Sequence, residues 1–448
     1  MLLTKSFFQI NRIPLLLALT SLLFYFSFAY DLERTDYIKL VMLYSALFFL
    51  FYKLIQINRY NLSFLTIIAF AFRIVFLMAI PNLSQDFYRF IWDGRMILEG
   101  FNPYLYTPES FVLNGVFPIH QAQELYNGMG VLNGSHFTNY PPINQLCFVI
   151  AGVFAGKSIL GSAIVLRLII IAADFGTLYF GKKLLEKLDT PNHVIFWYIL
   201  NPFIIIELTG NLHFEGVMIF FLIWSLYLSH IGKWKYAAIV LACSISVKLI
   251  PLIFLPLFFQ KLNRKNSIVF YTLVGLMTIV LFAPFYSAQF ITNYMQTVAL
   301  WFQDFEFNAS LYYIAREIGY LLTGYNEIGI IGKSIPIIVI LFVLLIAFFR
   351  KNKTTIELIT SMLFVLSFYY FTSTTVHPWY IATLLILSIF TRYKFPLVWS
   401  FVAILSYLAY ANPNNTENLW IIGVEYACVY SIFIWEVILN RKAMVLKS

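Results

Sequence analysis

From Ile13 onward the chain repeats one pattern: a run of about 20 apolar residues, then a short break rich in charge, proline or glycine. A bilayer core about 30 Å thick demands runs of that length, because a helix rises only about 1.5 Å per residue. Such runs fall near 13–30, 38–57, 62–80, 161–181, 193–209, 214–230, 267–285, 332–350, 355–373, 378–391, 396–411 and 418–439. Only 11% of the 448 residues are charged and 61% are hydrophobic, whereas soluble domains carry about 25% charged residues. The chain therefore reads as an all-α polytopic membrane protein with about 12–14 membrane segments. Lys5 and Arg12 before the first run imitate a signal peptide, but so many runs follow that an uncleaved first anchor is the expectation.

Two stretches do not fit a simple crossing. Residues 143–156 are apolar but short and follow Tyr140-Pro141-Pro142, which predicts an interfacial or re-entrant helix. In 236–260, Lys248 and Pro251 split the apolar run into halves too short to cross, which predicts a helical hairpin that dips in and returns.

The net charge of +9 would suit a nucleic-acid partner if it formed one patch. It does not. With the N-terminus inside, the inner segments hold Lys53, Arg59, Lys182, Lys183, Lys233, Lys235, Lys261, Arg264, Lys265, Arg350, Lys351 and Arg392, and are strongly positive. The outer segments (31–39, 81–142, 207–215, 286–331, 373–377 and 412–417) are net negative. This is the positive-inside signature of a topology, not a nucleic-acid footprint. Cys147, Cys243 and Cys428 have no CxxC or Cys/His spacing, so neither a disulfide framework nor a zinc site is implied.

The organisation that follows is three N-terminal spans (1–80), a long polar loop (81–142), and a remainder (143–448) that begins with the juxtamembrane helix and includes an outer loop at 286–331. The polar loop opens with Leu83–Tyr106, the most chemically equipped stretch of the chain. If Asp86–Gly100 is helical, Asp86, Arg89 and Asp93 share one face and Tyr88, Trp92, Arg95 and Glu99 form the next stripe. Carboxylates, guanidinium and flat aromatics at a membrane surface suit a site that grips a sugar and takes a proton from a hydroxyl. The same spacing also describes a solvated interfacial helix whose Asp and Arg merely pair. Asp86, Asp93, Glu207, His213, Glu215, Asp304, Glu306 and His377 all fall on the outer side, and Lys248 approaches it from the hairpin tip. Lys248 otherwise reads as a snorkelling lysine, His213 and Glu215 as polar loop residues, and Trp379 as an interfacial-belt aromatic. Arg167 and Asp174, seven apart within one span, read as structural.

These residues resemble a known pattern. The run from Asp86 to Arg95, then Glu99-Gly-Phe-Asn102-Pro103-Tyr104, is similar to the first outer loop of GT-C glycosyltransferases. The nearest likeness is to polyprenyl-phosphate-mannose-dependent mannosyltransferases, including bacterial members and the enzyme adding the first mannose of GPI anchors. The resemblance continues through Tyr140-Pro141-Pro142, Asp174, Asn201-Pro202, Gly210–Glu215, Ser246-Val247-Lys248 and His377-Pro378-Trp379-Tyr380, over about residues 80–380. It departs at two points: two extra spans precede the loop, and Gln85-Asp86 stands where the family has an Asp-x-Asp pair. A divalent cation is thus possible but not supported by such a pair, and no other cofactor is called for.

The resemblance implies a GT-C-like fold with 81–142 as an extracytoplasmic catalytic loop in a bacterial cytoplasmic membrane. It also implies inverting transfer of a hexose, mannose first, from a polyprenyl-phosphate sugar to a glycan, lipid or protein acceptor. Asp86 would be the base. Lys248, with Arg89 or Arg95, would stabilise the leaving phosphate. Trp92, Asp93, His213, Glu215, His377 and Trp379 would line the substrates. The rivals are a flippase or transporter of lipid-linked glycans, and a polymerase or ligase of such glycans.

Overall fold

The computed structural model describes residues 12–303, 305–412 and 414–439. Asp304 and the terminal charges Lys5, Arg441, Lys442 and Lys447 lie outside the described residues. The protein is an all-α polytopic membrane protein. Seven described helices are long and apolar enough to cross a bilayer, and a bent pair, Asn192–Ile199 with Pro202–Gly210, makes an eighth if read as one span. The other expected segments are shorter apolar helices, so the larger count holds only when these are included. Sequence hydropathy marks an apolar run; it does not show where the helix inside it stops.

The N-terminal unit is α1 (Arg12–Tyr30), α2 (Tyr37–Asn58) and α3 (Leu62–Val75). Leu16, Leu23, Met42 and Phe49 point outward while Tyr25, Tyr44 and Leu47 are buried, as in a bundle facing lipid. α3 stops five residues short of the expected 62–80 run, and the chain turns at Phe76 toward the polar loop. Within this loop lie α4 (Asp86–Leu98) and α5 (Ala122–Gly134); α6 (Pro142–Ala155) follows it. α4 ends where Gly100 adopts φ +82°, and the Phe101 amide reaches back to the Met96 carbonyl at 2.9 Å. That left-handed turn suits glycine and satisfies an otherwise orphaned carbonyl.

α6 packs on α4 so closely that a Cβ on Gly94 would sit 2.3 Å from the Phe148 carbonyl oxygen. Phe90 and Phe148 stack beside it at 4.7 Å. α7 (Ile159–Lys187) then crosses and carries both buried intramembrane charges of that span. Asp174 pairs with Arg73 of α3 at 2.7 Å, not with Arg167. Arg167 instead donates to the Thr209, Gly210 and Leu77 carbonyls at 2.9, 3.0 and 2.9 Å. Those carbonyls belong to chain ends outside regular α-helix, where carbonyls lack intrahelical partners, so a buried guanidinium serves as their cap. The bend in the Asn192–Gly210 pair falls at Asn201-Pro202, as a proline without an amide hydrogen requires.

Next come α8 (Glu215–His230) and α9 (Trp234–Ile245). α9 ends at Ile245, and the chain resumes as a tight helix at Ile250–Phe258, leaving Lys248 in the break. The later spans are Ile250–Phe285, which runs on from that tight helix, Ile328–Phe349, Thr355–Thr372 and Leu419–Leu439. Among the described residues β pairing is limited to one parallel bridge, Phe307 with Thr375. It ties the 286–331 connection to the segment ahead of His377, through Phe307 N to Thr374 O at 3.1 Å and Val376 N to Phe307 O at 2.8 Å.

Candidate active site

A cavity of about 620 Å³ opens where these connections meet. The polar loop lines it with Asp86, Arg89, Asn133 and Tyr140, α8 with Glu215, and the break after α9 with Lys248. The far wall is Phe307, His377, Trp379, Tyr380 and Tyr410, with Arg34 from the first connection. Segments hundreds of residues apart thus converge on one polar space.

α4 begins at Asp86 itself, and Ser84 Oγ accepts its amide at 3.3 Å. The Asp86 carboxylate accepts from Asn133 Nδ2 at 3.3 Å. Burial pushes its carboxyl above the ordinary value of 3.8, while the Lys248 charge, the Asn133 bond and the Arg34 charge pull the other way. The other acids lining the cavity are committed. Glu215 holds Lys248 at 2.5 Å, Glu306 holds Arg316 at 2.6 Å, and Glu417 accepts from the Tyr313 hydroxyl and the Asn308 amide. Among the described residues, Asp86 has no ion-pair partner.

Arg89 sits one turn on and braces the loop. Its Nε donates to Asp93 Oδ1 at 2.7 Å, and its Nη1 to the Asn133 and His136 carbonyls at 2.7 and 2.9 Å. Asp93 is wholly buried and takes a second bond from Gln145 Nε2 of α6 at 3.0 Å. Arg95 faces away and donates to the His120 carbonyl at 2.7 Å. Trp92 is buried in the packing beneath α4. Of the residues singled out from the sequence, Asp86, Arg89, Glu215, Lys248, His377 and Trp379 line the cavity; Trp92, Asp93, Arg95 and His213 stand behind it.

His213 is nonetheless joined to the wall. It stacks on Trp379 at 3.7 Å, Trp379 on His377 at 4.5 Å, His377 on Phe307 at 5.1 Å, and Phe307 on Tyr410 at 5.8 Å. Arg34 closes the ladder, 3.3 Å above the Tyr410 ring centre. Leu212, at φ +63°, holds the left-handed turn that aims His213 at Trp379. Burial, with Lys248 and Arg34 nearby, pushes His377 down to about 3, so its ring is neutral in ordinary buffers.

Polar atoms around the cavity await partners: Arg34 Nε, Arg89 Nη2, Glu215 Oε2, His377 Nδ1 and Thr383 Oγ1 are buried without one. Both donors and acceptors are represented, and leaving such atoms unpaired costs about 1–3 kcal/mol each. A hydroxyl-rich, anionic ligand supplies what they lack. No three His, Cys, Asp or Glu residues among those described converge as metal ligands.

A polytopic helical bundle that gathers acid, cations and an aromatic wall beside its first long polar loop has the organisation of a GT-C-like mannosyltransferase. Residues 31–262 match the family described as "Alpha-(1->6)-mannopyranosyltransferase, N-terminal domain", and the chain belongs to that family. Over 173 residues it is 23% identical to Alpha-(1->6)-mannopyranosyltransferase A of Mycobacterium tuberculosis, covering 38% of this chain and 32% of that protein. The match thus spans about a third of the length of the curated relative.

Arg34, Asn133, Gln145, Phe307 and Tyr410 carry no mark in the sequence. Each is an ordinary residue in a connection or a span, and only the fold brings it to the others.

Proposed function

We propose that the protein transfers mannose, with inversion, from a polyprenyl-phosphate mannose to an acceptor hydroxyl at the outer face of a bacterial cytoplasmic membrane. Family membership supports the sugar, and the family's name points to an α-(1→6) linkage. The observation that carries the chemistry is Asp86, whose carboxylate lines the cavity and, among the described residues, accepts from the Asn133 side-chain amide alone. Asp86 takes the acceptor's proton as that oxygen attacks the mannose anomeric carbon. The anomeric carbon–phosphate oxygen bond breaks, and polyprenyl phosphate leaves as an anion. A base needs the free carboxylate, and burial makes that carboxylate more basic than an exposed one.

Arg89, Asp93 and Gln145 position the base by fixing the Asn133 loop against α4 and α6. Lys248 meets the departing phosphate, and Glu215 holds it there. Trp379 and His377 hold each other in the ladder, and the unpartnered His377 Nδ1 offers a hydrogen bond to a sugar hydroxyl. In this reading residues 81–142 are the catalytic loop, 1–80 the N-terminal helices, and 143–448 the juxtamembrane helix, remaining spans and the 286–331 loop. The test is to offer the purified protein a panel of polyprenyl-phosphate sugars with a mannoside acceptor. Consumption of the mannosyl donor, lost in Asp86→Asn, is the expected result. Lipid-linked glycan crossing a vesicle membrane with no sugar transferred would make the protein a transporter instead.

A further inference from the structure

Lysine and arginine contribute three cations to the cavity wall among the described residues, and two are already committed. Arg89 is bound to Asp93 and to loop carbonyls, and Lys248 to Glu215. Arg34 is different. Its guanidinium carbon stands 3.3 Å over the Tyr410 ring centre, its buried Nε has no hydrogen-bond partner, and no carboxylate among the described residues is within ion-pair distance. Stacking covers one face of a guanidinium and leaves its donor edge in the plane, the geometry that meets phosphate oxygens in a fork.

The connection carrying Arg34 is a built support. Asp31 pairs with Lys39 at 2.7 Å, and Asp36 caps α2 by accepting the Lys39 amide at 3.2 Å. Asn82, four residues ahead of the base, donates to the Phe28 and Leu32 carbonyls at 2.8 and 3.0 Å. One asparagine therefore ties the Arg34 connection to the start of the Asp86 segment. The N-terminal hairpin, which precedes the family-like loop, is joined to the reacting centre and is more than an anchor.

We propose that Arg34 is a substrate-binding residue, its guanidinium edge taking the phosphate of the lipid-linked donor across the cavity from Lys248. This rests on the donor class proposed above. As the anomeric bond breaks, negative charge gathers on the phosphate oxygens, and a cation without a carboxylate of its own gains most from it. A phosphate ester could also come from an ordinary phospholipid headgroup, so the two sources must be separated.

The experiment uses the full chain in detergent micelles. Binding of undecaprenyl phosphate, of uncharged undecaprenol and of phosphatidylglycerol is measured for wild type, Arg34→Gln and Arg34→Lys, with donor KM and kcat alongside. Arg34→Gln is expected to weaken undecaprenyl phosphate binding about 10-fold or more, the scale of a lost charge-assisted contact. Donor KM should rise in step, and undecaprenol binding should not change. Arg34→Lys should fall between, since it keeps charge without the fork. If Arg34→Gln loses its melting transition, Arg34→Lys carries the same comparison. Wild-type phosphate binding in the folded variants overturns the assignment while leaving the mannosyltransferase reading intact. Weakening confined to phosphatidylglycerol makes Arg34 a membrane-lipid contact and overturns it too. A wild-type protein that binds no undecaprenyl phosphate brings down both readings.

Discussion

In the proposed reaction the chemistry turns on Asp86 and Lys248, and each can be tested against its own surroundings. Asp86→Asn keeps shape and hydrogen bonding but removes basicity, so turnover should fall about 100-fold or more with donor binding retained. Because burial raises the Asp86 carboxyl above 3.8, the acid limb of kcat/KM should lie above that value and vanish in the variant. The stability sign is the opposite of the activity sign. A carboxyl whose folded value is raised favours the folded state while protonated and loses that contribution as pH rises through the folded value. Asp86→Asn, a permanent neutral mimic, should therefore melt above wild type at neutral pH, with the gap closing in acid. A lower melting point at neutral pH would mean that the carboxylate is a structural partner and not a poised base. Lys248 has the reverse problem. Lys248→Met strands the Glu215 carboxylate, which is 3% exposed, and losing one member of a buried pair costs about 3 kcal/mol. Lys248→Met/Glu215→Gln should regain much of the stability but not the donor KM. Recovery of both would reduce the lysine to an ion-pair partner. Asp86, Lys248 and His377 were legible as candidates because ionisable side chains are rare in a chain made mostly of membrane spans and stand out there, and Trp379 because it stands beside His377 in His377-Pro378-Trp379. Arg34 was not, since an arginine among Asp31, Glu33 and Asp36 in a short connection reads only as surface charge.

At the scale of elements, α4 was readable almost to its ends. The helix expected over Asp86–Gly100 is observed over Asp86–Leu98, and the left-handed Gly100 turns the chain out of it. What spacing did not show is which face does what. Asp86 and Asp93 share a helical stripe, yet one opens onto the cavity and the other is sealed beneath it, because α6 lies across the second turn. That contact was illegible because it depends on Gly94 meeting Phe148, and a glycine within a helical pattern does not say which helix, if any, lies against it. It is also where the site is most fragile. In Gly94→Ala the new methyl would lie 2.3 Å from the Phe148 carbonyl oxygen, a backbone atom that cannot swing away. α4 and α6 must separate, so the Asp93–Gln145 bond stretches and the loop holding Asn133 drifts from Asp86. Overpacking of this kind costs about 1–3 kcal/mol, and small misplacements of a catalytic group can cost about 100-fold in rate. Gly94→Ala should thus lower kcat far more than it raises donor KM, with a modest drop in melting temperature. Wild-type kcat would show that α4 need not sit on α6 for the base to work.

Across the whole molecule, the sequence made the membrane character legible, because hydropathy is summed over long stretches and tolerates local error. It could not show the aromatic ladder. His213, the His377–Trp379 pair, Phe307 and Tyr410 come from distant segments, and no periodicity links them. The parallel bridge between Phe307 and Thr375 does so, by fixing the 286–331 connection beside His377. Asp86, Arg34, His213, Phe307 and His377 stand on connections that the charge bias assigns to one side, which is why the side itself is decisive. A polyprenyl-phosphate sugar is presented at the outer face in the proposed reaction, so the cavity must open there. A cysteine at Gly128 would strike the Tyr88 ring at 2.7 Å, so the loop is better probed at Leu113, which is 76% exposed. With Cys428 replaced by serine, Leu113→Cys should react with a membrane-impermeant thiol reagent in intact cells. Arg264→Cys, exposed beside the Asn263 kink in the helix that follows Lys248, should react only after permeabilisation. The reverse pattern would put Asp86, Lys248 and Arg34 in the cytoplasm, where a nucleotide sugar is the available donor. The family membership would stand, but the phosphate that Arg34 and Lys248 are proposed to meet would have to belong to a different molecule.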